Sequence, residues 1–364
     1  MRVVLCALLC LGAQDAQLDD AIARERTRIA AKVPLTEIER KAYAAPSASE
    51  TKPVAAYRLA VLPCDFSDTK GGRELKDDLE AVTAFYRTMS FKTFTLELSP
   101  QKRITLDATR DELAKWGTGN EAEKKLVAGV VGAIENIDGV ILVVAGEIGK
   151  RGTSLWPHQD SVEIGGRTIG YLIIPEDLGV RWRAIASHEF GHLLELEDKY
   201  EPSAGVGKWC LMGTGYLGEP DDKEKKPLPL CAVCRAKLGW LALATVDPRK
   251  DASIVIENGG AVRLKLNPDD KEALVLELRG ERVLAWHTGG GKAIELTTQL
   301  PTGESDRLTP YSRPPLAGRA QGWYTAYVTD VRVEGAKAWI KVGTTAPLTP
   351  LEELLKSRVG KTIK

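Results

Sequence analysis

The chain of 364 residues holds only four histidines, and two of them stand four positions apart in His188-Glu189-Phe190-Gly191-His192. Apolar periodicity predicts a helix over residues 181–196. At 3.6 residues per turn, positions i and i+4 share one helical face, so both imidazoles can reach a single ion. Glu189 lies beside them, where it can hold a water and take its proton. That grouping suits zinc-assisted hydrolysis, in which the ion lowers the pKa of a water to about 7 and a carboxylate accepts the proton. For the five residues alone, an accidental His-Glu-His on a surface helix is the alternative.

Composition narrows the other classes. Fifty Lys plus Arg balance fifty Asp plus Glu, so no overall field draws the chain to nucleic acid or anionic lipid. With 43% hydrophobic and 27% charged residues, it reads as an ordinary globular chain, long enough for two domains. No apolar run approaches the roughly 20 residues needed to span a bilayer. Met1-Arg2, the apolar run 3–11 and Gly12-Ala13 read as a secretory signal peptide cleaved after Ala13, which places the protein outside the cytoplasm, secreted or periplasmic. Leu5 and Leu9 disfavour a lipid anchor at Cys6 or Cys10, and a buried N-terminal strand is the remaining alternative. Export leaves Cys64, Cys210, Cys231 and Cys234 in a compartment where disulfides persist.

Residues 14–44 carry Leu18, Ile22, Ile29 and Val33 at helical spacing, and 44–53 form a small-residue and proline linker. Strands are predicted over 58–66, 94–98, 139–145 and 170–174, and helices over 74–89 and 121–137. Beyond about residue 253 the chain turns to short alternating runs such as VRLKL and ALVLELR, the texture of an all-β, sandwich-like region. The predicted organisation is a signal peptide (1–13), an N-terminal helical segment with linker (14–55), a mixed α/β domain (56–246), a β-rich domain (247–345) and a tail (346–364).

Several motifs in order resemble the immune inhibitor A-like secreted zinc metallopeptidases. They are VLPCDFSD at 61–68, FYRTMSFKTFTL at 85–96, SLWPH at 154–158, HEFGH at 188–192, WCLMG at 209–213, AKLGWL at 236–241, and LVLELR at 274–279 followed by VLAWH at 283–287. The resemblance implies a metzincin-type α/β zincin domain with a mixed sheet and an active-site helix. It further implies a zinc endopeptidase acting on proteins or peptides, with His188, His192 and Asp198 as ligands and Glu189 as general base. Met212 is then the Met-turn residue beneath the metal. The family has glycine where this chain has Glu195, at the point where the helix must stop. Glu195 is therefore a competing ligand or a neighbour of the ligands. Tyr216 and His158 are candidate oxyanion or substrate contacts, each with a structural alternative, and His287 reads as structural.

Cys210-Leu-Met212 and Cys231-Ala-Val-Cys234 resemble in part the archaemetzincin cysteine cluster around a structural zinc, with Lys199 in place of one cysteine. Either a disulfide or a second zinc, with Cys64 as a possible fourth sulfur, fits this pattern, and calcium is left open. The expected alternative to an enzyme is a degenerate zincin-fold binding or adhesion module. Substrate-pairing is expected at an edge strand over 170–174.

Overall fold

The computed structural model describes residues 54–132, 134–199, 206–218, 222–247, 249, 252–265, 273–280, 282–289, 292–296 and 327–343. The expected signal peptide with Cys6 and Cys10, the helical segment 14–44 and the tail lie outside the described residues. Two compact units divide the chain, one holding residues 51–199 with 207–240 and the other holding the strands from residue 241 onward. No helix among the described residues is long and apolar enough to cross a membrane.

The first unit is built on a mixed sheet. Strands β1 (Ala56–Asp65), β2 (Thr95–Pro100), β4 (Gly139–Val144) and β6 (Arg167–Pro175) run parallel, and β5 (His158–Ile164) runs antiparallel at one edge. Their order is β2-β1-β4-β6-β5, and the short β3 (Ile104–Thr105) also pairs with β1. A parallel strand covered on both faces needs a continuous apolar run, and β4 (GVILVV) is buried at every position. One face of the sheet packs Leu62, Val140, Leu142 and Tyr171 against Val127 and Val131 of α3 (Glu121–Val131). Helices α1 (Lys76–Met89) and α4 (Trp182–Leu193) pack against each other, and α4 also packs on β5 and β6. Between α1 and α4, Tyr86, Phe94, Phe190 and Trp240 meet largely edge-on, and the Tyr86 hydroxyl donates to the Ser187 carbonyl at 2.5 Å. Two short helices, α2 (Arg110–Leu113) and α5 (Ala232–Lys237), complete this unit.

Two expectations need correction. Residues 170–174 belong to β6, an interior strand flanked by β4 and β5, so the edge is β5. Strand β5 escaped notice because an edge strand buries only alternate residues, and HQDSVEI shows no apolar run. Its signal was Gly165-Gly166, both at positive φ (58° and 77°), the turn that joins β5 to β6. The helix expected over 121–137 stops at Val131, where Gly132 ends it, and Asn136 turns the chain at φ 57°.

In the second unit, β7 (Ala244–Val246), β9 (Ala261–Lys265), β10 (Ala273–Arg279), β11 (Arg282–Gly289) and β12 (Lys292–Leu296) form one sheet in the order β12-β11-β10-β9-β7. A second sheet orders β13 (Tyr327–Glu334), β14 (Lys337–Gly343) and β8 (Ala252–Glu257) as β13-β14-β8. Alternate residues such as Ile254, Ile256, Leu264, Leu276 and Ile340 share a core. The buried Glu277 carboxylate is satisfied by the Trp286 indole N–H at 2.8 Å and by Arg279 at 2.7 Å.

Candidate metal centre

Helix α4 is buried almost around its circumference, from Trp182 and Ala184 to the run Ala186–Gly191. Its two histidines are oriented from behind. His188 Nδ1 lies 2.9 Å from the Leu211 carbonyl and His192 Nδ1 lies 2.7 Å from the Leu196 carbonyl. A carbonyl only accepts, so each Nδ1 carries the proton and each Nε2 turns a lone pair forward. Both Nε2 atoms converge on Asp198 Oδ1, each at 3.2 Å. Ligand atoms about 3.3 Å apart are what a tetrahedron with arms of about 2.0 Å requires. Two imidazole lone pairs and a carboxylate oxygen aimed at one another repel unless a cation sits among them, so this donor set fits Zn²⁺. Without one, a proton does the work. Burial depresses His192, but Asp198 and Glu189 outweigh it and hold its pKa above the ordinary value.

Asp198 reaches this point because the helix stops. The Leu196 N–H donates to Gly191 O at 3.1 Å and the Glu195 N–H to His192 O at 2.9 Å, the paired 6→1 and 5→2 bonds of a Schellman turn. The residue at its centre must be left-handed, and Glu195 adopts φ 62° there despite carrying a side chain. Lys237 of α5 braces the turn with a 2.6 Å bond from Nζ to the Glu195 carbonyl. The side chains that converge in the structure are therefore His188, His192 and Asp198, with Glu195 outside the convergent group.

Glu189 is buried between these groups. Burial raises its pKa, Asp198 adds to the rise, and His188, His192 and His158 oppose it. A bound cation would act in the same direction as the imidazoles. Met212 is fully buried beneath α4, and a Cβ added at Gly191 would meet its sulfur at 2.6 Å. The glycine in HEFGH is thus required by the packing of Met212, a role the motif spacing did not disclose. Lys199, next to Asp198, donates its N–H to the Met212 carbonyl at 2.6 Å, so the segments carrying Asp198 and Met212 are hydrogen-bonded together. The Tyr216 ring lies 4.8 Å from that of His188. Burial, Asp198 and Glu189 raise its phenol, Arg151 and Arg181 lower it, and the net is upward, so it remains a proton donor.

Cys210, Cys231 and Cys234 converge in a second group, fully buried and free of disulfides. Sulfur separations of 3.8 Å (Cys210 to Cys234) and 3.6 Å (Cys231 to Cys234) exceed the bonded distance of about 2.05 Å, so the expected disulfide is absent from this structure. Burial alone would raise Cys210, but hydrogen bonds from Cys231, Cys234 and backbone N–H groups hold it well down. Lys199 is buried and keeps its charge, because the three sulfurs outweigh the desolvation. Three sulfurs at this spacing fit a second, thiophilic divalent ion. Cys64 does not join them: it lies in the core of the other sheet face with its thiol on the Leu62 carbonyl at 3.2 Å. For calcium, among the described residues only these two groups of metal-ligating side chains converge. The half-buried Asp65 and the buried Glu176 are bridged by the Arg103 guanidinium at 3.0 and 3.1 Å.

His158 opens β5 with both ring nitrogens engaged, Nδ1 at 2.6 Å from the Trp156 carbonyl and Nε2 at 2.9 Å from Glu123 Oε1. It has no ring N–H left for a substrate oxyanion, which corrects that expectation. His287 falls in β11 of the second unit.

No protein-family model matches the chain, and no curated protein matches it. Among solved structures, an archaemetzincin from Methanopyrus kandleri is similar over 51% of this chain and 94% of its own length, at 9% identity and a TM-score of 0.28. Metalloproteinase-II from Bacteroides fragilis is similar over 52% of this chain and 54% of its own length, at 14% identity and a TM-score of 0.30, so this chain spans about half of it. Likenesses this remote fix neither the activity nor the metal.

Proposed function

We propose that the protein is a secreted zinc-dependent endopeptidase of the metzincin type, with a sandwich-like all-β second domain. The observation that carries this reading is the convergence of His188 Nε2 and His192 Nε2 on Asp198 Oδ1 at 3.2 Å, with the Glu189 carboxylate between the same elements. Zinc held by His188, His192 and Asp198 supplies Lewis acidity, which lowers the pKa of a water and polarises a scissile carbonyl. Glu189, its pKa already raised by burial, accepts the proton of the attacking water and passes it to the leaving amine. The Tyr216 hydroxyl, adjacent to His188, donates to the oxygen that gains charge. An extended substrate pairs with the outer edge of β5, which among the described strands has β6 as its sole neighbour. Export rests on the N-terminal sequence, and Cys210, Cys231 and Cys234 are available for a second zinc.

Chelation tests the reading. Dialysis of the full chain against a strong chelator is expected to abolish hydrolysis of an unfolded protein such as casein, and added zinc to restore it. Hydrolysis that survives complete metal removal contradicts it, and metal-replete folded protein inert toward a broad peptide library favours the binding module.

A further inference from the structure

Strand β5 is held unevenly. Its inward side chains are His158, Asp160, Val162 and Ile164; the last two pack on the apolar core, whereas the leading half has no apolar anchor. Adjacent residues of α3 anchor it by charge instead: Glu123 Oε1 meets His158 Nε2 at 2.9 Å, and Lys124 Nζ meets Asp160 Oδ2 at 3.4 Å. The two pairs differ in quality. Asp160 and Lys124 are each about one-third exposed, so solvent screens them, while Glu123 is fully buried. Glu123 Oε1 also accepts the Tyr171 hydroxyl at 2.7 Å and the Gly119 N–H at 3.1 Å. Both ring nitrogens of His158 face groups that accept, so the ring itself is satisfied when both donate, as an imidazolium, while Glu123 Oε2 is buried with no partner.

We propose that His158 is a positioning residue: its imidazolium, tied at one nitrogen to Glu123 and at the other to the Trp156 carbonyl, pins the leading end of β5 so that the strand's outer edge can pair with an extended peptide. The proposal rests on the peptidase reading for its substrate but on the Glu123 network for the pin. The groups facing His158 are Glu123 from α3, Tyr171 from β6 and Glu189 from α4, with Asp160 two residues along its own strand paired to Lys124. Burial works against the charged ring, and the Glu123 carboxylate and Trp156 carbonyl more than compensate, so its pKa stands above the ordinary value. Loss of the proton at alkaline pH removes a donor from a buried carboxylate. Weaker substrate binding with a preserved chemical step is then the expected signature.

The test compares the full-length zinc-loaded chain with His158→Gln, and with the neutral pair Glu123→Gln/His158→Gln, which avoids stranding a buried carboxylate if the single variant does not fold. Amide hydrogen exchange and steady-state kinetics on an extended peptide are measured at several pH values. The expected result is loss of exchange protection confined to β5, a KM about tenfold higher, a smaller change in kcat, and an alkaline rise in KM that the double variant lacks. Unchanged β5 protection, protection lost equally across β1 and β4, or an unchanged KM overturns the proposal. If the wild-type chain hydrolyses no peptide, the peptidase reading falls, and β5 protection alone decides whether His158 is the pin.

Discussion

At the residue scale, the position that most separated expectation from structure is Glu195. Its side chain departs from the glycine of the resembled family, and the spacing alone left two carboxylates competing for the metal. In the structure the turn forms around Glu195 at φ 62°, its backbone hydrogen bonds end the helix, and Asp198 lies beside the histidines. A left-handed non-glycine residue costs about 1 kcal/mol, so Glu195→Gly is expected to stabilise the fold by up to about 1 kcal/mol in urea unfolding. A β-branched Glu195→Val, which tolerates that conformation poorly, is expected to destabilise it. In a competitive chelator titration, Asp198→Ala is expected to weaken zinc at least about tenfold and Glu195→Ala to do so far less, because only Asp198 has an oxygen at both imidazoles. The reverse order would show that Glu195 is the ligand. The pair of histidines with Glu189 stood out because residue type and helical spacing mark them, and Asp198 and Met212 were pointed to by the family resemblance. Gly191, Lys199 and Lys237 were not, since each acts through a contact with a residue distant in sequence.

At the element scale, the strands with continuous apolar runs were legible and the one-sided edge strand was not. Burial on both faces marks β1 and β4 in the sequence, whereas β5 draws half of its anchorage from charged residues of α3. Helix α4 was legible through its histidines and apolar residues, but its end was placed three residues late, because the Schellman turn here lacks its usual glycine. The Glu123–His158 pair gives β5 a pH signature. His158 is raised above its ordinary 6.5, so its stabilisation is complete below that value and is lost as pH rises through the folded pKa. For Glu123, burial acts upward but the bonds from His158 and Tyr171 prevail and hold it below 4.5. Its contribution is complete above 4.5 and is lost as pH falls through the folded pKa. The stability difference between wild type and the neutral double variant is therefore expected to be widest between about pH 4.5 and 6.5 and to shrink on both sides. A difference flat from pH 4 to 9 in denaturant unfolding would contradict the ion pair.

At the scale of the whole molecule, two groups of potential metal-ligating side chains lie on adjoining pieces of chain. Asp198 is followed directly by Lys199 of the thiol cluster, and Cys210 stands two residues before Met212. Under the proposed export, the three free buried thiols fit best when a metal or their own burial protects them, since an oxidising compartment favours disulfides. The central claim concerns the first group: it holds a zinc and Glu189 works upon the water there. The most direct measurement compares peptide hydrolysis and zinc content of the full-length wild type with those of Glu189→Gln. The account predicts equal zinc in both proteins and turnover lower by at least about 10²-fold in the variant, the low end of what a general base contributes. Zinc lost on this substitution, or turnover retained with zinc in place, would contradict it.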